Sequence, residues 1–122
     1  MLASASAVAA QQIGLYGAAG PVRPSWFPSA DKVQHALGFA LPMFLVLTTS
    51  QLYAARAGRS VRPLAVAALA VVFAVNAVVS EIVQAQPGSG RTGDPLDAVA
   101  DLLGLALGWL LFRLLLRRQV VR

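Results

Sequence analysis

LDAVADLLGLALGWLLFRLLL, residues 96–116, is twenty-one residues long and carries only three charged side chains, Asp97, Asp101 and Arg113. An α-helix rises about 1.5 Å per residue, so such a run covers the roughly 30 Å hydrocarbon layer of a bilayer. Two other runs meet the same requirement: ALGFALPMFLVLTTSQLYAA, 36–55, and LAVAALAVVFAVNAVVSEIV, 64–83, each of twenty residues. The composition agrees. Of the 122 residues 57% are hydrophobic and 12% charged, where a soluble domain carries about 25% charge. Mean hydropathy is +0.67. The chain therefore reads as one all-α integral membrane domain over 1–122, without internal repeats. Its expected architecture is a small bundle of three transmembrane helices plus a short N-terminal fourth.

The fourth helix is the Ala-rich stretch Met1–Tyr16, interrupted by Gln11 and Gln12. As a helix it reaches only about 24 Å, and it has no basic n-region of a signal peptide. A short first span is expected, and a missing upstream beginning would explain its length. Pro21, Pro24 and Pro28 then mark a loop, with Trp26 and Phe27 expected at the membrane interface. Gly88–Gly93 is a second loop.

The charges set orientation and exclude several function classes. The net charge is +5, but the bases punctuate apolar runs instead of forming a polar face, so no nucleic-acid partner is expected. The absence of cysteine excludes disulfides, thiolate metal sites and a Cys nucleophile. Arg56, Arg59 and Arg62 fall at one side of the membrane with Arg113, Arg117, Arg118 and Arg122, whereas Arg23, Lys32 and Arg91 fall at the other. The positive-inside rule makes the Arg-rich side, with the C-terminus, cytoplasmic. A multi-pass protein of the cytoplasmic membrane is expected, with the Asp94 end outward.

That outward end is where the polar residues gather. Every acid (Asp31, Glu81, Asp94, Asp97, Asp101), the single His35 and the single Lys32 lie at the outer ends of the three long helices. Helical spacing puts Asp31, His35, Gly38 and Pro42 on one arc, and Asp97, Asp101, Gly104 and Gly108 on another. Glu81 and Gln84 sit one turn apart, with Asn76 and Ser80 deeper. Small residues at Gly104 and Gly108 allow a neighbouring helix to approach closely.

Structural duties account for part of this. Asp94 before Pro95 reads as an N-cap with proline at N1, and Asp97 at N3 favours the helix dipole. Ser29 reads as the N-cap of the helix that carries Asp31, and Lys32 suits the headgroup layer. Asp101 has no such explanation, because it lies nearly two turns inside its helix. A carboxylate there costs a few kcal/mol unless paired or solvated. Pro42 is expected to kink its helix and free a carbonyl.

The ordered set of motifs resembles the VanZ-like family of small membrane proteins, named for a protein linked to teicoplanin resistance. The residues are D-K-x-x-H-x-x-x-F (Asp31, Lys32, His35, Phe39), E-x-x-Q (Glu81, Gln84), and R-x-x-D-x-x-D before a glycine-rich helix (Arg91, Asp94, Asp97, Gly104, Gly108). The motifs run from 31 to 108, within a best-supported region of 29–118. Two departures stand out: Asp101 where the family often has Asn, and the short first span. The resemblance implies a multispanning protein of the cell envelope and a link to glycopeptide resistance, and supplies no reaction.

Three functions fit these residues. A binder or transporter would take up a membrane lipid or amphiphilic envelope molecule, or move protons through Asp101, Glu81 and His35. An enzyme on an outer-leaflet headgroup would use His35, Glu81 and Asp101 as acid–base groups, with His35 oriented by Asp31 or Asp101. Asp31, Lys32, Gln84, Arg91, Asp94 and Asp97 would then bind the substrate. Its nucleophile would have to come from Ser80, Ser89 or Thr92. A structural polar network, or an interface with a partner or another copy, is the third. A divalent ion on His35 with Glu81 or Asp101 is compatible with the first two. One His without Cys argues against zinc, however, and no metal or cofactor is assigned.

Overall fold

The computed structural model describes residues 1–17, 29–89 and 93–116. Among these the chain forms four helices and no strands: α1 (Leu2–Tyr16), α2 (Ala30–Arg56), α3 (Pro63–Gln84) and α4 (Pro95–Leu116). The long helices α2, α3 and α4 are long and apolar enough to cross a membrane. Helix α2 starts six residues before its apolar run, at Ala30, whereas α3 and α4 match theirs to within one residue. The loop prolines and interface aromatics at 21–28, Arg91 and Thr92, and the terminal Arg117, Arg118 and Arg122 lie outside the described residues.

Helices α2 and α4 run parallel and form the tightest contact in the bundle. A Cβ added at Gly104 would lie 2.8 Å from the Ala36 carbonyl carbon, and one at Gly108 would lie 3.1 Å from that of Ala40. The two pairs are one helical turn apart on each helix, so glycine lets backbone meet backbone along a continuous seam. One turn nearer the N-termini, the same register brings Asp101 against His35. The arc 97–101–104–108 is buried as the spacing predicts.

Helix α3 returns antiparallel and closes the core. Phe39 meets Phe73 edge to face at 6.3 Å, with Met43, Leu47, Ala77 and Leu105 buried around them. On the outside, Leu37, Val72, Leu103 and Leu114 are exposed. Large apolar side chains facing outward all along the spans are what a lipid-facing surface requires.

Helix α1 has fifteen residues, fewer than a hydrocarbon crossing needs, and is attached by polar side chains. Ser4 Oγ donates to the Leu45 carbonyl at 3.1 Å and accepts from Thr49 Oγ1 at 2.6 Å. At its other end Gln84 Nε2 donates to the Leu15 carbonyl at 3.1 Å, and Tyr16 Oη donates to Asn76 Oδ1 at 2.9 Å. Helix α1 thus runs antiparallel to α2, with its C-terminal end level with the acids.

The helix starts divide. Asp94 caps α4 as expected: its Oδ1 accepts from the Leu96 amide at 2.9 Å, with Pro95 at the first helical position. Ser29 does not cap α2. It occupies the N-cap position with φ 63°, in the left-handed region, and makes no side-chain cap bond. Its backbone turns the chain into the helix instead of satisfying the free amides.

Because the seam has no room for a Cβ, Gly104→Val should cost about 3 kcal/mol or more through overpacking. Leu103→Val, on the exposed neighbouring face, should cost under about 1 kcal/mol. Thermal unfolding of the purified chain in detergent compares the two.

Candidate functional site

The parallel start of α2 and α4 puts two helix N-termini side by side, where the partial positive charge of the helix dipole favours carboxylates. Asp31, Asp94 and Asp97 are explained in this way. Glu81 is not, since it lies at the C-terminal end of α3, where the dipole disfavours negative charge. Nor is Asp101, which is fully buried.

Lys32 sits at the middle of the outer layer. Its Nζ donates to Asp94 Oδ2 and Asp97 Oδ1, both at 2.7 Å, and to Asp31 Oδ2 at 3.3 Å. Beyond the expected place at the helix ends, three carboxylates hold the ammonium as a shared ion-pair partner. Asp31, the most exposed of the three, is paired with Lys32 and makes no hydrogen bond or ion pair with His35.

One turn deeper, His35 Nδ1 lies 2.9 Å from Asp101 Oδ1, and Nε2 lies 3.6 Å from Asp97 Oδ2. Of the two carboxylates named to orient His35, Asp101 does so. Glu81 reaches across from α3, and its Oε2 accepts from the Asp94 amide at 2.8 Å. Gly93 permits this, because a Cβ there would stand 2.7 Å from the Glu81 carbonyl oxygen. Glu81 therefore ties the loop ahead of α4 to α3, and His35, Glu81 and Asp101 converge.

Gln84 stands apart from this cluster. Its amide points to α1 and holds Leu15, which makes it a strut for the N-terminal helix. Arg91 lies outside the described residues. Two of the proposed nucleophiles are engaged with backbone: Ser80 Oγ donates to the Ala77 carbonyl at 2.8 Å, and Ser89 Oγ to the Gln84 carbonyl at 2.7 Å. Among the described residues neither shows a hydrogen bond to His35.

On its other side His35 lines a groove between α1 and α2 of about 270 Å³, walled mainly by apolar atoms and by Gln11, Gly38 and Pro42. Its size is close to the lower end of the about 300–1,000 Å³ typical of small-molecule sites. Gln11 is buried, and neither its Nε2 nor its Oε1 has a partner among the described residues. Pro42 has no N–H to give the Gly38 carbonyl one turn earlier, and both residues line the groove. An apolar cleft thus offers an unpaired amide, a carbonyl deprived of its helical donor and an imidazole. Reading Gln11 only as an interruption of an apolar run missed this role. The available signal was its seven- and four-residue spacing from Ser4 and Leu15, which places all three on one buried face.

Compared with family models, curated proteins and solved structures, the chain finds no match. Its chemistry therefore rests on the geometry above.

The Lys32 ammonium bonded to Asp94, together with the Leu96 amide, holds the Asp94 carboxyl below the usual carboxylate range. A folded value lowered in this way adds stability that is fully present above the unfolded pKa of about 3.9. That stability is lost as the pH falls through the lower folded value. Asp94→Asn should accordingly reduce the difference in melting temperature between about pH 6 and about pH 3, measured in the same detergent as wild type.

Proposed function

We propose that this protein binds an amphiphile of the cell envelope, with the apolar part in the α1–α2 groove and the polar part at Gln11 and His35. The observation that carries this reading is the position of His35, which lines the groove and is hydrogen-bonded to buried Asp101. Burying a primary amide without partners costs about 1–3 kcal/mol. The unpaired Gln11 side chain is therefore a place where a ligand's carbonyl, hydroxyl or phosphate would gain. The apolar walls would hold the ligand's hydrocarbon part through packing contacts.

The arginine distribution supports a cytoplasmic-membrane protein with the cluster outward, which would present the site to outer-leaflet lipids. The VanZ-like resemblance adds lipoglycopeptides such as teicoplanin to the candidate ligands, because they carry an acyl tail. Binding is favoured over hydrolysis because Ser80 and Ser89 are bonded to backbone carbonyls.

The groove can be filled without disturbing the fold. A Cβ added at Gly38 meets nothing within 4 Å, and leucine in a helix interior is favoured over glycine by roughly 0.5–1 kcal/mol. Gly38→Leu should keep or raise the melting temperature while weakening capture of a photoreactive phosphatidylglycerol at least about tenfold, equivalent to about 1.4 kcal/mol. In a susceptible host the same variant should lose any protection against teicoplanin that wild type gives, with vancomycin, which lacks the tail, as control. Unchanged photolabelling in Gly38→Leu would refute the groove as the binding site.

A further inference from the structure

Two buried carboxylates in the cluster have an oxygen to spare. Asp101 is fully buried, and its Oδ2 has no partner among the described residues. Glu81 is 8% exposed, and its Oε1 likewise has none. In each case the other oxygen is fixed, Asp101 Oδ1 on His35 Nδ1 and Glu81 Oε2 on the Asp94 amide. One ligand atom from each of His35, Glu81 and Asp101 lies within 4.8 Å of the others. Three ligand atoms at about 2.0–2.2 Å from one ion stand about 2.8–3.8 Å apart, depending on the angle between them, so the three close on one ion with side-chain shifts of up to about 1 Å.

The charge balance calls for a cation as well. All five acids of the chain lie at this end of the bundle, and among the described residues they face one ammonium, Lys32, and one imidazole, His35. Lys32 is spent on Asp31, Asp94 and Asp97. The deeper pair, Glu81 and Asp101, has only His35, and uncompensated carboxylates at this depth are costly.

We propose that His35, Glu81 and Asp101 form a binding site for a divalent first-row transition ion of the manganese or iron type. The donor set decides the class. Carboxylates suit hard ions such as manganese, one imidazole adds affinity for transition metals over magnesium and calcium, and no thiolate is present to select softer ions. The Asp94 amide on Glu81 Oε2 is an outer-shell contact of the kind that orients a metal ligand, and the His35–Asp101 hydrogen bond holds two of the ligands against each other. Three protein ligands leave further coordination positions open to water or to an anionic group. The site shares His35 with the α1–α2 groove, but ion binding does not require that the groove be filled.

The test uses the full chain in detergent, stripped with chelator and carrying no polyhistidine tag, titrated with manganese chloride. Binding is read from loss of the free-ion electron paramagnetic resonance signal. One ion per chain is expected. Glu81→Gln and Asp101→Asn should each weaken binding at least about tenfold, while Tyr53→Phe, exposed at the far end of α2, should bind as wild type. If the two carboxylate variants cannot be purified, the wild type alone decides. His35 is the only histidine, so pulsed resonance of the loaded protein must detect an imidazole nitrogen. No binding at millimolar manganese, full binding by both variants, or a bound ion without nitrogen coupling would each overturn the assignment.

Discussion

The backbone seam between α2 and α4 is the constraint on which the rest depends. Parallel helices place their dipoles unfavourably side by side, and a bilayer offers no hydrophobic drive to press them together. Gly104 and Gly108 overcome this by letting the chains touch at Ala36 and Ala40, where dispersion contacts are densest. One turn further on, the same register leaves space for side chains, and that space is filled by His35 and Asp101. The site is thus the continuation of the packing seam into its polar end.

Two layers of charge follow from this geometry. The outer layer, Lys32 with Asp31, Asp94 and Asp97, is held by a dense set of charge-assisted bonds and by favourable helix ends. The inner layer, His35, Asp101 and Glu81, is placed against the dipole or deep in the helix and keeps unpaired oxygens. Stability alone would favour apolar residues at such positions. Their presence is what makes the inner layer the part of the bundle proposed to carry function. The groove between α1 and α2 reaches this layer through His35.

Much of this was legible from residue spacing. Three runs of twenty residues or more defined the spans, and the arcs of Asp97, Asp101, Gly104 and Gly108 and of His35 with Gly38 and Pro42 defined the facing sides. The convergence of acids at one end followed from alternation of the chain through the layer. What escaped depends on side-chain reach, which periodicity does not encode. Lys32 has a stem long enough to turn inward to Asp97 instead of outward to headgroups. Gln84 and Glu81 lie one turn apart, yet one holds α1 and the other the loop before α4. Ser29 has the composition of a cap, but its left-handed backbone removes it from that role. The contribution of Gln11 depends on how α1 docks against α2, a tertiary fact with little trace in an Ala-rich sequence.

The central claim is that α2 and α4 join in the register that couples His35 to buried Asp101. A double-mutant cycle measures this directly, with His35→Gln, Asp101→Asn and the double variant compared by unfolding free energy in one detergent. The account predicts a coupling above about 1 kcal/mol, as for residues sharing one polar network. Effects that add to within about 0.5 kcal/mol would mean that the two side chains do not meet, and the site built on their contact would fall with them.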